Sequence, residues 1–137
     1  MIFSNKKIMP IHKQLINSGA PWENVVGYSR AVKAGNCIEV SGTTSVDGDT
    51  IIGKGDLYAQ AIFIFQKIEK VLAEAGSSLQ DVVRTRMYVT DISKWEEAGK
   101  AHALFFKNIK PATTMIEVSR LINDELMIEI EVTAIMG

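Results

Sequence analysis

A length of 137 residues suits one domain able to bury a core of its own. Hydrophobic residues make up 47% and charged residues 23%, which excludes a disordered or fibrous polymer. Fifteen basic side chains against sixteen acidic ones leave a net charge of −1, which argues against a nucleic-acid-binding domain held on by bulk electrostatics.

Residues 1–15 read as an N-terminal leader ahead of a single domain over 16–137. Lys6, Lys7, Pro10, His12 and Lys13 interrupt this leader, so it holds no apolar run of the roughly 7–15 residues that an export signal needs. No window reaches the ~18 uncharged apolar residues of a membrane span. Cys37 is the only cysteine and forms no internal disulfide. The expectation is a cytoplasmic protein.

In chain order, the first pair of strands is predicted over 26–33 and 37–42, joined by the turn Ala34-Gly35-Asn36. A short strand over 50–52 follows the turn Asp47-Gly48-Asp49. A helix is predicted over 56–75, because Leu57, Ala61, Ile64, Phe65, Ile68, Val71, Leu72 and Ala75 recur at spacings of three and four. Gln60, Lys67, Lys70 and Glu74 fall away from that stripe. Asp56 suits the N-cap and Gly76 the left-handed residue that ends the helix. A β-branched strand over 82–90 comes next. Ser93 and Glu96 then have capping-box spacing, and Trp95, Ala98, His102, Phe105 and Ile109 make a second helical stripe, which ends near 108 before Pro111. Strands over 113–119 and 126–136 close the chain. In the last of these, Ile128, Ile130, Val132, Ala134 and Met136 alternate with Glu129, Glu131 and Thr133.

The order β-β-β-α-β-α-β-β makes an α+β domain whose sheet carries two helices on one face. On the other face the pattern puts Thr43, Thr44, Arg84, Arg86, Tyr88, Glu117, Glu129 and Glu131. That set is too polar for a second core, yet too mixed with apolar residues for a plain solvated face. Sheet-to-sheet packing in an oligomer, with polar clefts at its seams, accounts for both properties.

Motifs for P-loop, dinucleotide, nucleophile-elbow and zincin chemistry are missing. His12, His102 and Cys37 cannot form an ordinary tetrahedral zinc site without several carboxylates, so no metal is expected. Cys37 reads as a small buried hydrophobe. Glu129 and Glu131 stand inside an apolar strand, where a carboxylate is exposed, paired with a cation, or desolvated with a raised pKa suited to proton transfer. His102 is either a core histidine or a ligand-facing one. Arg84 and Arg86 are surface charges, partners in an interface ion pair, or anion binders.

The blocks Lys110-Pro111-Ala112-Thr113, Ile116-Glu117-Val118-Ser119-Arg120-Leu121 and Ile128-Glu129-Ile130-Glu131 follow Phe105-Phe106. Together with Val40-Ser41-Gly42, Ala75-Gly76 and Asp81-Val82-Val83 they resemble the Rid family, also called YjgF or L-PSP endoribonuclease-like. The resemblance spans about residues 16–137. It implies a chorismate-mutase-like fold with a mixed sheet, a homotrimer with ligand clefts between subunits, and hydrolysis of reactive enamines and imines such as 2-aminoacrylate without a cofactor. By the same resemblance, Glu129 handles protons and water, Tyr28 closes the cleft, and Ser41, Gly42, Thr43 and Thr44 hold the substrate together with His102, Thr113 and Met115. The family's carboxylate-binding arginine, in the block Pro-Ala-Arg, is Thr113 here. Threonine lacks the bidentate cationic fork, which counts against 2-aminoacrylate-type activity. Such chains resemble the Rid subgroups without that arginine, which also share Ala20-Pro21-Trp22-Glu23 and Arg84-Thr85-Arg86-Met87-Tyr88.

Three functions follow as expectations. One is a deaminase-like hydrolase of a small reactive metabolite, in which Arg86 replaces the lost arginine as an anion anchor. The second is a non-catalytic protein that binds a metabolite or a protein partner, with Glu129 only accepting hydrogen bonds; for Arg86 the rival of the anchor role is an inter-subunit salt bridge to Glu117 or Glu131. The third is an endoribonuclease, poorly matched by a chain with no basic stripe interleaved with aromatics.

Overall fold

The strand that organises the sheet is the last one, β8 (Ile128–Ile135). In the computed structural model, which describes residues 11–137, Ile128, Ile130, Val132 and Ala134 of β8 are fully buried and the residues between them face the other way. β8 lies between β3 (Cys37–Thr43) and β6 (Val82–Val89), antiparallel to both. Outside β3 come β2 (Ala31–Ala34) and β1 (Lys13–Ile16); outside β6 lies β7 (Ala112–Glu117). The six-stranded order is β1-β2-β3-β8-β6-β7, and only β6 and β7 run parallel. A parallel pair requires a crossover, which the helix α3 (Trp95–Phe106) supplies.

The second long helix, α2 (Leu57–Glu74), packs with α3 on one face of this sheet. Asp56 accepts from Ala59 N–H at 3.0 Å and caps α2. Gly76, at φ 81°, ends it: Ser77 N–H reaches Leu72 O at 2.8 Å and Gly76 N–H reaches Ala73 O at 3.0 Å. Ile64, Phe65, Ile68 and Leu72 of α2 are wholly buried. Phe65 meets Phe105 and Phe106 of α3 at ring-centroid distances of 5.3 and 5.4 Å.

Several elements differ from the sequence expectation. The strand expected from residue 26 begins at Ala31, because Pro21–Val26 forms a short helix, α1. Pro21 opens α1, the Glu23 carboxylate reaches back to Ser18 N–H at 3.0 Å, and Gly27 closes it at φ 88°. Lys13–Ile16, assigned mostly to the leader, is strand β1; residues 1–10 of that leader lie outside the described residues. The short strand expected at 50–52 is β5 (Thr50–Ile51), which pairs with β4 (Val46–Asp47) in a hairpin separate from the main sheet. Ser93 caps nothing: Asp91 accepts from Ser93 N–H at 3.0 Å and from its hydroxyl at 2.6 Å, since a carboxylate is the stronger acceptor. Along α3, Ala98, Ala101 and Phe106 are buried and Phe105 packs against the core, while Trp95 of the expected stripe is mostly exposed.

Gln60 is also buried, although the periodicity set it aside with the polar face of its helix. Its amide donates to Gly53 O at 3.2 Å and Glu125 O at 2.9 Å, and its oxygen accepts from Met127 N–H at 2.8 Å. The side chain thus supplies three hydrogen bonds that two loops would otherwise lack. Among the described residues no helix is long and apolar enough to cross a membrane. Replacing Gln60 with leucine keeps the volume but strands a buried N–H and two carbonyls. Gln60→Leu should cost about 1–3 kcal/mol of stability, read as a lower denaturation midpoint in urea.

Candidate active site

A β-bulge shapes the outer face of the sheet. Val40 pairs with Val132 and Thr43 with Ile130, so Ser41 and Gly42 both stand opposite Glu131. Without the bulge, Val40 and Thr43 would point to opposite faces; with it, both are buried on the helix side. Gly42 is left lying under the Glu129 side chain. A Cβ at Gly42 would sit 2.9 Å from Glu129 Oε2 and 3.0 Å from its Cδ, so only glycine lets the carboxylate rest there.

Glu129 lines a cavity of about 620 Å³ on this face. Tyr28, Arg30, Gly42, Thr44 and Lys67 share the wall with it. The rest comes from the Ser18–Trp22 segment, Val26, the β4–β5 hairpin and Ile122. Burial pushes the Glu129 carboxyl above the usual carboxylate range; nearby Arg30 opposes that shift and Glu131 adds to it.

Both cations are held by backbone. Arg30 precedes β2; its guanidinium Nη2 donates to Gly42 O at 3.0 Å and its Cζ lies 5.7 Å from the Tyr28 ring centroid. Lys67, on α2, donates through Nζ to Thr44 O at 3.1 Å and Val46 O at 2.8 Å. Burial lowers the Lys67 pKa, Arg30 lowers it further, and Asp47 acts in the opposite direction. Neither cation was among the residues singled out from sequence. The signal for Arg30 was its alternation with Tyr28 on one side of the chain. Lys67 gave none, because a lysine beside an apolar stripe usually reaches solvent.

Of the ten residues expected at the site, Tyr28, Gly42, Thr44 and Glu129 line this cavity and six do not. The Ser41 hydroxyl is committed to Ser29 O at 2.7 Å and that of the core-facing Thr43 to Ser41 O at 2.8 Å. Arg86 lies farther along the outer face, its Nε 3.8 Å from Glu131 Oε1 within the same chain, where Tyr88 donates to that carboxylate at 2.7 Å. This contact lies within one chain, whereas the ion pair expected for Arg86 was one between subunits, and Arg86 is not on the cavity wall. Glu117 instead accepts from Ile92 N–H at 3.1 Å.

His102, Thr113 and Met115 lie on the helix-facing side, toward the edge strand β7. Thr85, fully buried, donates to Thr113 Oγ1 at 2.7 Å and stands 2.9 Å from His102 Nε2. With its proton directed at Thr113, the Thr85 oxygen accepts from a His102 Nε2–H, which fits a neutral imidazole. Burial against Phe65 and Phe106 lowers the His102 pKa accordingly. Met115 packs against the core. Cys37 is half-buried at the start of β3. Among the described residues no group of three or more His, Cys, Asp or Glu is arranged to hold a metal ion.

A model of the family described as endoribonuclease L-PSP matches residues 11–136. The chain belongs to the endoribonuclease L-PSP family. This is the group that the sequence resemblance named Rid or YjgF. A RutC family protein of Pyrococcus abyssi is 39% identical over 108 residues, covering 78% of this chain and 84% of the relative. An uncharacterised protein of Streptomyces coelicolor is 35% identical over 122 residues, or 89% and 91% of the two chains. The crystal structure of a YjgF/YER057c/UK114 family member from Mycobacterium tuberculosis is similar at a TM-score of 0.83 and 44% identity, covering 91% of this chain and 100% of the other. The mixed six-stranded sheet with its helices on one face is therefore the fold of this L-PSP family.

The buried neutral His102 makes stability pH-dependent. Its folded pKa lies below that of the unfolded chain, ~6.5, so the unfolded state takes up the extra proton first. This contribution is complete above about pH 6.5 and is lost as the pH falls from there toward the depressed folded value. Thermal melts should show a lower Tm at about pH 5.5 than at about pH 8, and His102→Gln should lose less over the same interval.

Proposed function

We propose that the protein is a cofactor-independent hydrolase of small imines or enamines, with Glu129 as its proton-transferring group. The observation that carries this reading is the Glu129 carboxylate itself: held over Gly42, lining a cavity, with its proton affinity raised by burial. A carboxyl that holds its proton more readily than usual is suited to carry one between water and substrate. As a water oxygen bonds to the C=N carbon, Glu129 accepts the water proton and the nitrogen takes up another from solvent. Glu129 then returns its proton to the nitrogen, the C–N bond breaks as the new hydroxyl gives its proton back to solvent, and a carbonyl compound and ammonia leave.

A homotrimer completes the reading. The cavity mouth carries Trp22, Val26 and Ile122, all largely exposed in the single chain, next to an outer sheet face bearing Arg86, Tyr88 and Glu131. A neighbouring copy packed there would cover this apolar rim. It would also bring its own edge strand, with Thr113 and Met115 and with His102 behind them, toward the Glu129 side of the seam. Light scattering at micromolar concentration should give three times the chain mass; a stable monomer would remove the shared cleft.

The second reading is ligand binding without turnover, and Thr113 favours it, because its hydroxyl engages Thr85 where the Rid resemblance expects a substrate-holding arginine. Ribonuclease action has less support, with two cations on the cavity wall among the described residues and a net charge of −1. Ammonia release from amino-acid-derived imines discriminates the readings. Glu129→Gln should lower turnover by about 10²–10⁴-fold while raising Tm, since it removes a carboxylate whose ionisation is disfavoured in the folded state. Equal release by wild type and variant would exclude Glu129 as the proton carrier. Gly42→Ala should keep the fold, because only a side-chain end has to move, yet lose roughly 10²-fold in rate through the displaced carboxylate.

A further inference from the structure

We infer that Lys67 is a carbonyl-reactive amine, whose Nζ condenses reversibly with small aldehydes or ketones admitted to the cavity. The inference goes beyond the hydrolase reading, which gives Lys67 no part in the reaction.

Lys67 rises from α2 and ends on the cavity wall, half-buried rather than in open solvent. Its Nζ donates to Thr44 O at 3.1 Å and to Val46 O at 2.8 Å, and to nothing else among the described residues. A neutral amine has two N–H groups and one lone pair, so those two carbonyls satisfy it completely. An ammonium carries a third N–H, for which the described residues supply no acceptor. Nor does any carboxylate among them stand within 4.0 Å of Nζ; the ion pairs found there are Lys54–Glu125 and Arg86–Glu131. Neutral oxygens thus fix the head group and leave its fourth tetrahedral position open.

The groups around the cavity act on Nζ in both directions. Burial lowers its proton affinity and Arg30 lowers it further. Asp47 opposes that shift, and Asp49 and Glu129 lie on the same wall. The Phe63 ring, its centroid 5.8 Å from Nζ, also favours the charged form. The net direction is toward the amine. A lysine partly desolvated beside another cation is the arrangement that makes this side chain a nucleophile.

Condensation needs no oxidant or reductant. The Nζ lone pair bonds to the carbonyl carbon, the C=O pair moves to oxygen, and one amine proton passes to that oxygen. The nitrogen pair then forms C=N as the hydroxyl leaves, taking the second amine proton as water. One imine and one water result, and hydrolysis reverses both steps. When protonated, the imine keeps a single N–H, which suits Val46 O, the nearer acceptor. Trp22, Val26 and Ile122 offer apolar wall for the alkyl part of the carbonyl compound.

The test is reductive trapping of the full chain with butanal and cyanoborohydride, which delivers hydride to the C=N carbon. Mass spectrometry of peptides then maps the alkylated lysines. At about pH 7, Lys67 should gain a butyl group about tenfold faster than the exposed Lys70 of the same helix. Lowering the pH from about 9 should slow Lys70 before Lys67, because a depressed pKa keeps Lys67 unprotonated to lower pH. Arg30→Met should slow trapping at Lys67 and Asp47→Asn should speed it, opposite signs that steric access alone does not give. Trapping at Lys67 no faster than at Lys70 on the wild-type protein would overturn the site, even if every variant failed to fold. Identical pH profiles at the two lysines would overturn it as well. A Lys67 adduct with no ammonia release from any imine would retain the amine site and reject the hydrolase reading. Ammonia release with no Lys67 adduct would do the reverse.

Discussion

The pairing of β8 with β3 on one side and β6 on the other is the constraint on which the rest of the molecule depends. β8 is central and antiparallel to both neighbours, so its register decides which face every adjacent side chain occupies. A slip of one residue would move Ile128, Ile130, Val132 and Ala134 into solvent and drive Glu129, Glu131 and Thr133 into the helix-facing core. The hydrophobic penalty, on the order of 1.5–3 kcal/mol for each large side chain misplaced, leaves one register. Glu129 is therefore on the outer face because the isoleucines on either side of it must be on the inner one.

The bulge in β3 converts that register into a site. The extra residue realigns the strand so that Thr43 returns to the core, and it leaves Gly42 flat beneath the Glu129 carboxyl. Burial there has a cost, visible in the raised proton affinity of Glu129 and the lowered one of Lys67. Ionised groups kept partly dry are destabilising by themselves. They persist because the surrounding sheet, hairpin and helix fix their positions through contacts that do not depend on them, such as the Gln60 bridge and the Phe65 cluster. This division between a self-sufficient scaffold and a strained polar site is common where proton transfer is required.

On the far side of the sheet, His102, Thr85 and Thr113 form a hydrogen-bonded row from α3 to the edge strand. It is held by neutral groups throughout, with the imidazole kept uncharged by burial. The row satisfies Thr85, which is completely buried and would otherwise carry an unpaired hydroxyl. A threonine at position 113 thus has a structural task that is independent of any ligand.

The sequence by itself determined the family scaffold, because that scaffold is written in local periodicity and capping chemistry. The α2 stripe from Leu57 to Leu72, its Asp56 and Gly76 ends, and the alternation along β8 each involve residues within a few positions of one another. The same alternation set Glu129 and Glu131 together on the outer face, and only the family resemblance separated Glu129 from its neighbour. What only the tertiary structure decided depends on separations the periodicity does not encode. Gln60 lies at the margin of the apolar stripe and is buried only because residues 125–127 fold over it. Ser93 does not cap α3 because the chain first makes one tight 3-10 turn, Ile92–Lys94, which contains Ser93 and is capped by Asp91. The polar face of the sheet was legible, but its division was not. Tyr28, Thr44 and Glu129 share a cavity with Arg30 and Lys67, while Arg86 pairs with Glu131 outside it. That partition follows from one inserted residue in β3 and from a lysine that reaches carbonyls 21 and 23 positions away. Neither leaves a periodic trace, since a bulge and a long-range hydrogen bond exist only once the strands have met.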